Sequence, residues 1–327
     1  MNEENNILKE TLIEFCEKNL DENKIESEKI TGKVINSIAS QGFLGATIPE
    51  KYGGSALDEA SYNIILEEIS RYSPSVAMKI FMANSLYFPA VEGTDAEASL
   101  SDVSSGKLNV SVDFINNEYS LNQSAKIRGQ LPSILNVDAE KLIIFNGQTT
   151  IVNGKMEYSE EDFMGYRGLK FGNAKLDNEY NVLDKNSRKP KIMEKSYKAL
   201  SAMALGMMSE SIKKAMDYTG VRKAFGNNLR DFEPVSFRLS GLYSRENILR
   251  GILYGNIDSY YVYNFAMESI VEATRYSLNA HGGYGYFKDF GVEKFYRDAI
   301  VMKSLFYGNE ELKKLADHAY GEKLNFI

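Results

Sequence analysis

Beyond residue 190 the chain carries a single proline, Pro234, and over that whole span apolar residues return with the period of a helix. Met193, Tyr197, Leu200, Ala204 and Met208 make one stripe, which predicts a helix over about 193–218. Further helices are expected at 232–253, 257–280 and 292–318. Pro234 falls near a predicted helix start, where its fixed φ suits a first turn and its missing N–H costs nothing. Long helices with so few breakers suggest an antiparallel bundle.

The first 90 residues read as helical as well. Leu8, Leu12, Phe15 and Leu20 recur at near-helical spacing, and Val34, Ile35 and Ile38 form a second short stripe. A run over 57–72 places Leu57, Ile64, Ile65 and Ile69 on one side, with Asp58, Glu59, Glu67 and Glu68 largely elsewhere. Between these helices the glycines and proline of GFLGATIPEKYGGSAL require an ordered loop. In the middle of the chain the period drops to two. Leu108, Val110, Val112 and Phe114 alternate with Asn109, Ser111 and Asp113, the pattern of a half-buried strand. Further strands are expected over 141–145, 149–152 and part of 166–176. The expected fold is α+β and mainly α, in three domains: N-terminal helices (1–106), a small β domain (107–190) and a C-terminal helical bundle (191–327).

Composition removes several function classes. Lys plus Arg total 38 against 45 Asp plus Glu, a net charge of -7, whereas general nucleic-acid binding needs a surplus of cations. No apolar run approaches the roughly 20 residues that span a bilayer, and the polar start MNEENNILKE does not read as a secretory signal, so a cytoplasmic protein is expected. Cys16 is the only cysteine and His281 and His318 the only histidines, so neither an internal disulfide nor a Cys/His metal site is expected.

Four segments then carry a likeness, in order and at suitable spacing. They are Gly42-Phe43-Leu44-Gly45-Ala46-Thr47-Ile48-Pro49-Glu50-Lys51-Tyr52-Gly53-Gly54, Ser73-Pro74-Ser75-Val76-Ala77, Arg222-Lys223-Ala224-Phe225-Gly226, and His281-Gly282-Gly283-Tyr284-Gly285-Tyr286 followed by Val292-Glu293-Lys294-Phe295-Tyr296-Arg297-Asp298-Ala299. Together they resemble the acyl-CoA dehydrogenases across both helical domains, while the middle of the chain is less similar. The resemblance implies a C-terminal four-helix bundle and an oxidation of acyl thioesters between Cα and Cβ. A carboxylate takes the α-proton while a hydride leaves Cβ for N5 of FAD.

The resemblance also shows departures. The family's Tyr-Glu-Gly-Thr segment reads Phe306-Tyr307-Gly308-Asn309 here, so Tyr307 stands at the catalytic position. Ser196 stands at the alternative base position near the start of the long bundle helix. A tyrosine is roughly 4 kcal/mol short of being an available anion at pH 7. Glu310 and Glu311 lie about a helical turn beyond Tyr307 and read as solvated; Glu194 aligns with an acidic position associated with the CoA portion. The Thr-Glu-Pro-x-x-Gly-Ser-Asp loop and Trp-Ile-Thr strand that hold a chain's own flavin are absent from the sequence. The residues that reach a neighbour's flavin persist as Arg222, Phe225, Gly282 and Gly283, with Asn279 in place of Gln, Asn309 in place of Thr and Glu233 in place of Gln. The implied cofactor is FAD, bound weakly or only with a partner's help. The implied partners are an acyl-CoA or acyl-carrier thioester and a second chain, identical or another acyl-CoA dehydrogenase-like one.

Read without the family, the same residues are ordinary. Gly282-Gly283 ends a helix, His281 packs in a turn, Arg297-Asp298 is a helix-surface ion pair and Tyr307 is a core aromatic. Two classes stay open: a flavoprotein subunit, and a non-enzymatic acyl-thioester-binding or scaffold protein that has lost FAD.

Overall fold

The computed structural model describes residues 3–113, 120–121 and 126–325. Phe114, the last residue of the first expected strand, lies outside them. The N-terminal region holds α1 (Glu3–Asn19), α2 (Glu22–Glu28), α3 (Gly32–Ser40), α4 (Glu59–Tyr72), α5 (Pro74–Phe81), α6 (Phe88–Val91) and α7 (Leu100–Ser104). The joint between α4 and α5 follows from two residues. Ser73 closes α4 with its N–H on the Ile69 carbonyl and opens α5 with its hydroxyl on the Val76 N–H, while Pro74 takes the first turn.

The middle of the chain forms β1 (Val110–Val112), β2 (Ser120–Leu121), β3 (Lys126–Leu135), β4 (Lys141–Asn146), β5 (Gln148–Asn153), β6 (Glu157–Glu160) and β7 (Phe171–Asp184). They make one sheet in the order β1-β4-β5-β7-β3-β2, with β6 also on β7. Among the described residues, β1 and β4 are the one parallel pair of this sheet. Ile127, Leu131, Leu142, Ile144, Val152 and Leu176 belong to a small core of the sheet, separate from the large core of the helices.

The C-terminal helices are α8 (Lys189–Val221), α9 (Glu233–Leu253), α10 (Ser259–Ala280), α11 (Glu293–Phe306) and α12 (Asn309–Tyr320). A two-stranded ribbon, β8 (Lys223–Ala224) with β9 (Asn227–Asn228), separates α8 from α9. The long helix α8 is the axis of the molecule and packs on both α4 and α10. Gly206 permits the first contact: a Cβ there would sit 2.1 Å from the Glu67 carbonyl oxygen.

Three expectations are corrected. The helix expected over 292–318 is two helices, because Tyr307 leaves helical geometry and Gly308 takes an extended φ of -115°. Off the apolar side of α4, Glu67 and Glu68 are nonetheless both buried, because α4 lies between α1 and α8. Lys9 of α1 lies 2.8 Å from Glu68, Arg250 of α9 pairs with Glu67, and the hydroxyl of Tyr254, just after α9, donates to Glu67. Arg297 and Asp298 are not a surface pair either. Asp298 is fully buried and accepts the Tyr166 N–H, and Arg297 reaches Glu26 at 2.7 Å. Finally, the strand expected within 166–176 is β7, which runs on to Asp184 because β3 and β5 both pair with it.

Candidate functional site

At the position expected for the base the structure has packed aromatics. Tyr307, Ser196, Tyr197 and Tyr263 are all buried. The Tyr197 and Tyr263 rings stack at 4.4 Å, and Tyr307 meets Tyr263 edge-on at 5.7 Å. The Tyr307 hydroxyl donates to the Asn264 side-chain oxygen, and Tyr263 donates to the Phe306 carbonyl. Burial, then the negative charge of Glu268, pushes the Tyr307 phenol up to about 12, further from the anion a base needs. Ser196 donates back into its own helix, to the Ile192 carbonyl at 2.7 Å. Glu311, the nearest alternative acid in sequence, accepts the Gly308 N–H at 3.2 Å and opens α12. Asn264 was not legible as a partner of Tyr307; its one signal was an amide inside an apolar helix pattern.

On the sheet side, the described polar groups of β1 and of the turn after β3 are engaged within the sheet region. On β1 the Ser111 hydroxyl is 2.6 Å from the Leu135 carbonyl and is spent there. The Asn136 amide donates at 2.7 Å to both the Asn109 side chain and the Val110 carbonyl. These polar groups tie the sheet region to itself.

The second group of expected residues is arranged differently. Arg222, Asn279, Gly282 and Gly283 line one open cleft of about 480 Å³ between the end of α8, the end of α10 and the turn that follows it. Tyr218 and Tyr284 line it too, and the Arg222 guanidinium lies 5.4 Å above the Tyr284 ring. His281 is buried beneath and stacks on Tyr218 at 4.5 Å, the packing role expected of it. Gly283 has no reason of its own to be glycine: a Cβ there would meet nothing within 4 Å. Such a position suits close approach by another molecule. Arg222 supplies a forked cation for phosphate, so the cleft fits the diphosphate end of a nucleotide cofactor.

Beside this cleft the ribbon turns through Phe225 and Gly226, both with positive φ (49° and 86°), as a two-residue hairpin requires. Gly226 takes that geometry freely; Phe225 does not, and its side chain is 96% exposed. An aromatic held out of the fold on a strained turn is costly for a lone chain.

Three further residues fall elsewhere. Asn309 begins α12 and Glu233 begins α9, where an acid suits the helix N-terminus; neither lines the Arg222 cleft. Glu194 is exposed and lines a different open cleft, of about 420 Å³, with Lys191, Lys195, Lys198 and Glu59. Among the described residues no group of three His, Cys, Asp or Glu could hold a metal ion, and no helix is long and apolar enough to cross a membrane.

Helices, a small sheet and a helical bundle in this order define the acyl-CoA dehydrogenase fold. The solved butyryl-CoA dehydrogenase of Megasphaera elsdenii matches with a TM-score of 0.83 at 21% identity, over 98% of this chain and 99% of that one. A family model described as "Acyl-CoA dehydrogenase, N-terminal domain" matches residues 2–98. The chain is 24% identical to the 3-(aryl)acrylate reductase of Clostridium sporogenes, over 96% of this chain and 97% of that protein. It is equally similar, with the same coverage, to the caffeyl-CoA reductase-Etf complex subunit CarC of Acetobacterium woodii. Residues 2–98 thus match the N-terminal domain of the acyl-CoA dehydrogenases, and nearly the whole chain is similar in sequence and fold to members of that family. The alignment with the reductase extends over 368 residues against 327 here, so that relative carries segments this chain lacks.

Proposed function

We propose that this chain does not oxidise or reduce acyl thioesters by itself, and serves as the degenerate half of a mixed assembly in which its Arg222 cleft supports the FAD of a complete dehydrogenase-like partner. One contrast carries the reading. The base position is a buried tyrosine inside an aromatic stack, whereas Arg222, Asn279 and Gly283 stand open around a cleft beside an exposed Phe225. Selective loss of what a chain supplies to its own flavin, with retention of what it supplies to a neighbour's, is the pattern a dedicated partner would have. The CarC relative is named as a subunit of a reductase-Etf complex, which supports a working context of unlike chains. The acyl group would sit on CoA or a carrier protein and would be handled by the partner.

The test is co-expression with a complete dehydrogenase-like chain, followed by flavin titration of assemblies containing wild type or Arg222→Ala. Removing a cation from the pyrophosphate should weaken flavin binding by about 1.5–3 kcal/mol, roughly ten- to a hundredfold. Equal affinity in both assemblies, or no association, would leave the non-enzymatic scaffold reading in front.

A further inference from the structure

Away from both clefts, α2, residues 163–169 and α11 meet in a buried cluster that is rich in acids. Glu22 is 7% exposed and Asp298 is fully buried, and the side chains of Glu26 and Glu293 are 6% and 16% exposed. Two cations face them. Arg297 is already engaged with Glu26, with Glu293 and with the Met164 carbonyl. Lys294 donates to the Tyr72 carbonyl at 3.1 Å. Neither carboxyl oxygen of Glu22 has a hydrogen-bond partner, and Asp298 Oδ2, Glu293 Oε2 and the Tyr166 hydroxyl are equally unmatched. An ionised carboxylate in this position would be buried with only Lys294 to offset its charge, at a much greater cost than a neutral acid.

The same junction holds two residues in left-handed backbone that glycine would normally take, Lys29 (φ 66°) and Tyr166 (φ 50°). It also joins the sheet region to the N-terminal helices. The Ile30 N–H donates to the Gly168 carbonyl at 2.8 Å, Lys29 Nζ donates to the Arg167 carbonyl, and the Gly168 N–H donates to the Ser75 hydroxyl.

We infer that Glu22 is a proton-holding latch: as a neutral acid it lets α2 dock against α11 and clamp residues 163–169, and loss of that proton loosens the clamp. The groups facing Glu22 are Lys294 and Asp298 of α11, Glu26 of its own helix and the Ser73 hydroxyl. Burial is the largest influence and raises the Glu22 carboxyl to about 8, with Lys294 and Ser73 opposing and the two acids adding to it. Burial likewise raises Asp298 to about 7 against the Tyr166 N–H and Arg297. The sign follows. The closed form keeps a proton that a solvated Glu22 releases in the ordinary carboxylate range, so closure is strongest in acid. It weakens by up to about tenfold per pH unit as pH rises, until Glu22 itself ionises in the folded chain.

The experiment is amide hydrogen exchange on the full chain near pH 6 and pH 8.5, read as protection factors at Ile30 and Gly168. Wild type should lose at least about tenfold protection at the higher pH, while Glu22→Gln should lose at least about tenfold less, keeping only the share that Asp298 contributes. Unchanged wild-type protection, or a Glu22→Gln chain with the wild-type pH dependence, would overturn the latch; the second result would move the effect to Asp298. Should Glu22→Gln fail to fold, the carboxyl-carbon NMR titration of Glu22 in wild type decides. A midpoint above about pH 6 supports the latch and one at or below it overturns it.

Discussion

One helix, α10, contributes to both the chamber around Tyr307 and the cleft around Arg222, yet the first is filled with protein and the second is open. Tyr263 and Asn264 face the chamber; Asn279 and Ala280, about 22 Å further along the helix, line the cleft. In the chamber, hydroxyls are spent on neighbouring backbone and amide groups, and rings occupy the space. At the cleft a guanidinium lies over the Tyr284 ring, beside a glycine whose Cβ would meet nothing and a turn whose Phe225 is exposed. Residues kept for folding show their reason within the chain. On our proposal the cleft residues are kept for another molecule, and that distinction separates the two regions.

The comparison can be broken by substitution on either side. In the chamber, Tyr263→Ala removes a ring that packs against Tyr197 and Tyr307 together with its bond to the Phe306 carbonyl. It should cost about 3–5 kcal/mol in denaturant unfolding; a loss under about 1 kcal/mol would mean that the chamber is loosely filled. Tyr307→Phe keeps the ring and deletes only the donor to Asn264, so about 1 kcal/mol is expected in the same measurement. Neither it nor Tyr307→Glu should produce acyl-CoA oxidation in the isolated chain, because a new base does not restore the flavin contacts. Turnover by Tyr307→Glu alone would show those contacts to be intact. At the cleft, Gly283→Ala should change the stability of the isolated chain by no more than about 0.5 kcal/mol, since a Cβ meets nothing there. A larger loss would give Gly283 a folding role and remove it from the shared-site reading.

Much of this arrangement was legible in the sequence, and the failures have physical causes. The helical period located α8, α9 and α10 to within a few residues, because each hides an apolar stripe against its neighbours. The break between α11 and α12 was missed because a lone Gly308 among helix-forming residues is a weak stop signal. β7 was found only in part because its second half, Asn178 to Asp184, is rich in Asn, Asp and Glu, types depleted in strands. The burial of Glu67 and Glu68 was not legible because periodicity reports one helix and not what packs on its far side. Arg222, Gly282 and Gly283 were found through motif resemblance, and no period would have joined them. Tyr218 and Tyr284, which complete the cleft, became visible only once the fold had brought the ends of α8 and α10 together.

The central claim is that this chain has lost the grip on its own flavin while keeping a half-site for another's. Equilibrium dialysis of FAD against the homogeneous chain, with no partner present, tests it most directly. Weak, non-saturating uptake and colourless protein are expected. Tight uptake of one FAD per chain would contradict the account, because donors for the ring and the pyrophosphate would then have to exist where Ser111 and Asn136 bind only the sheet.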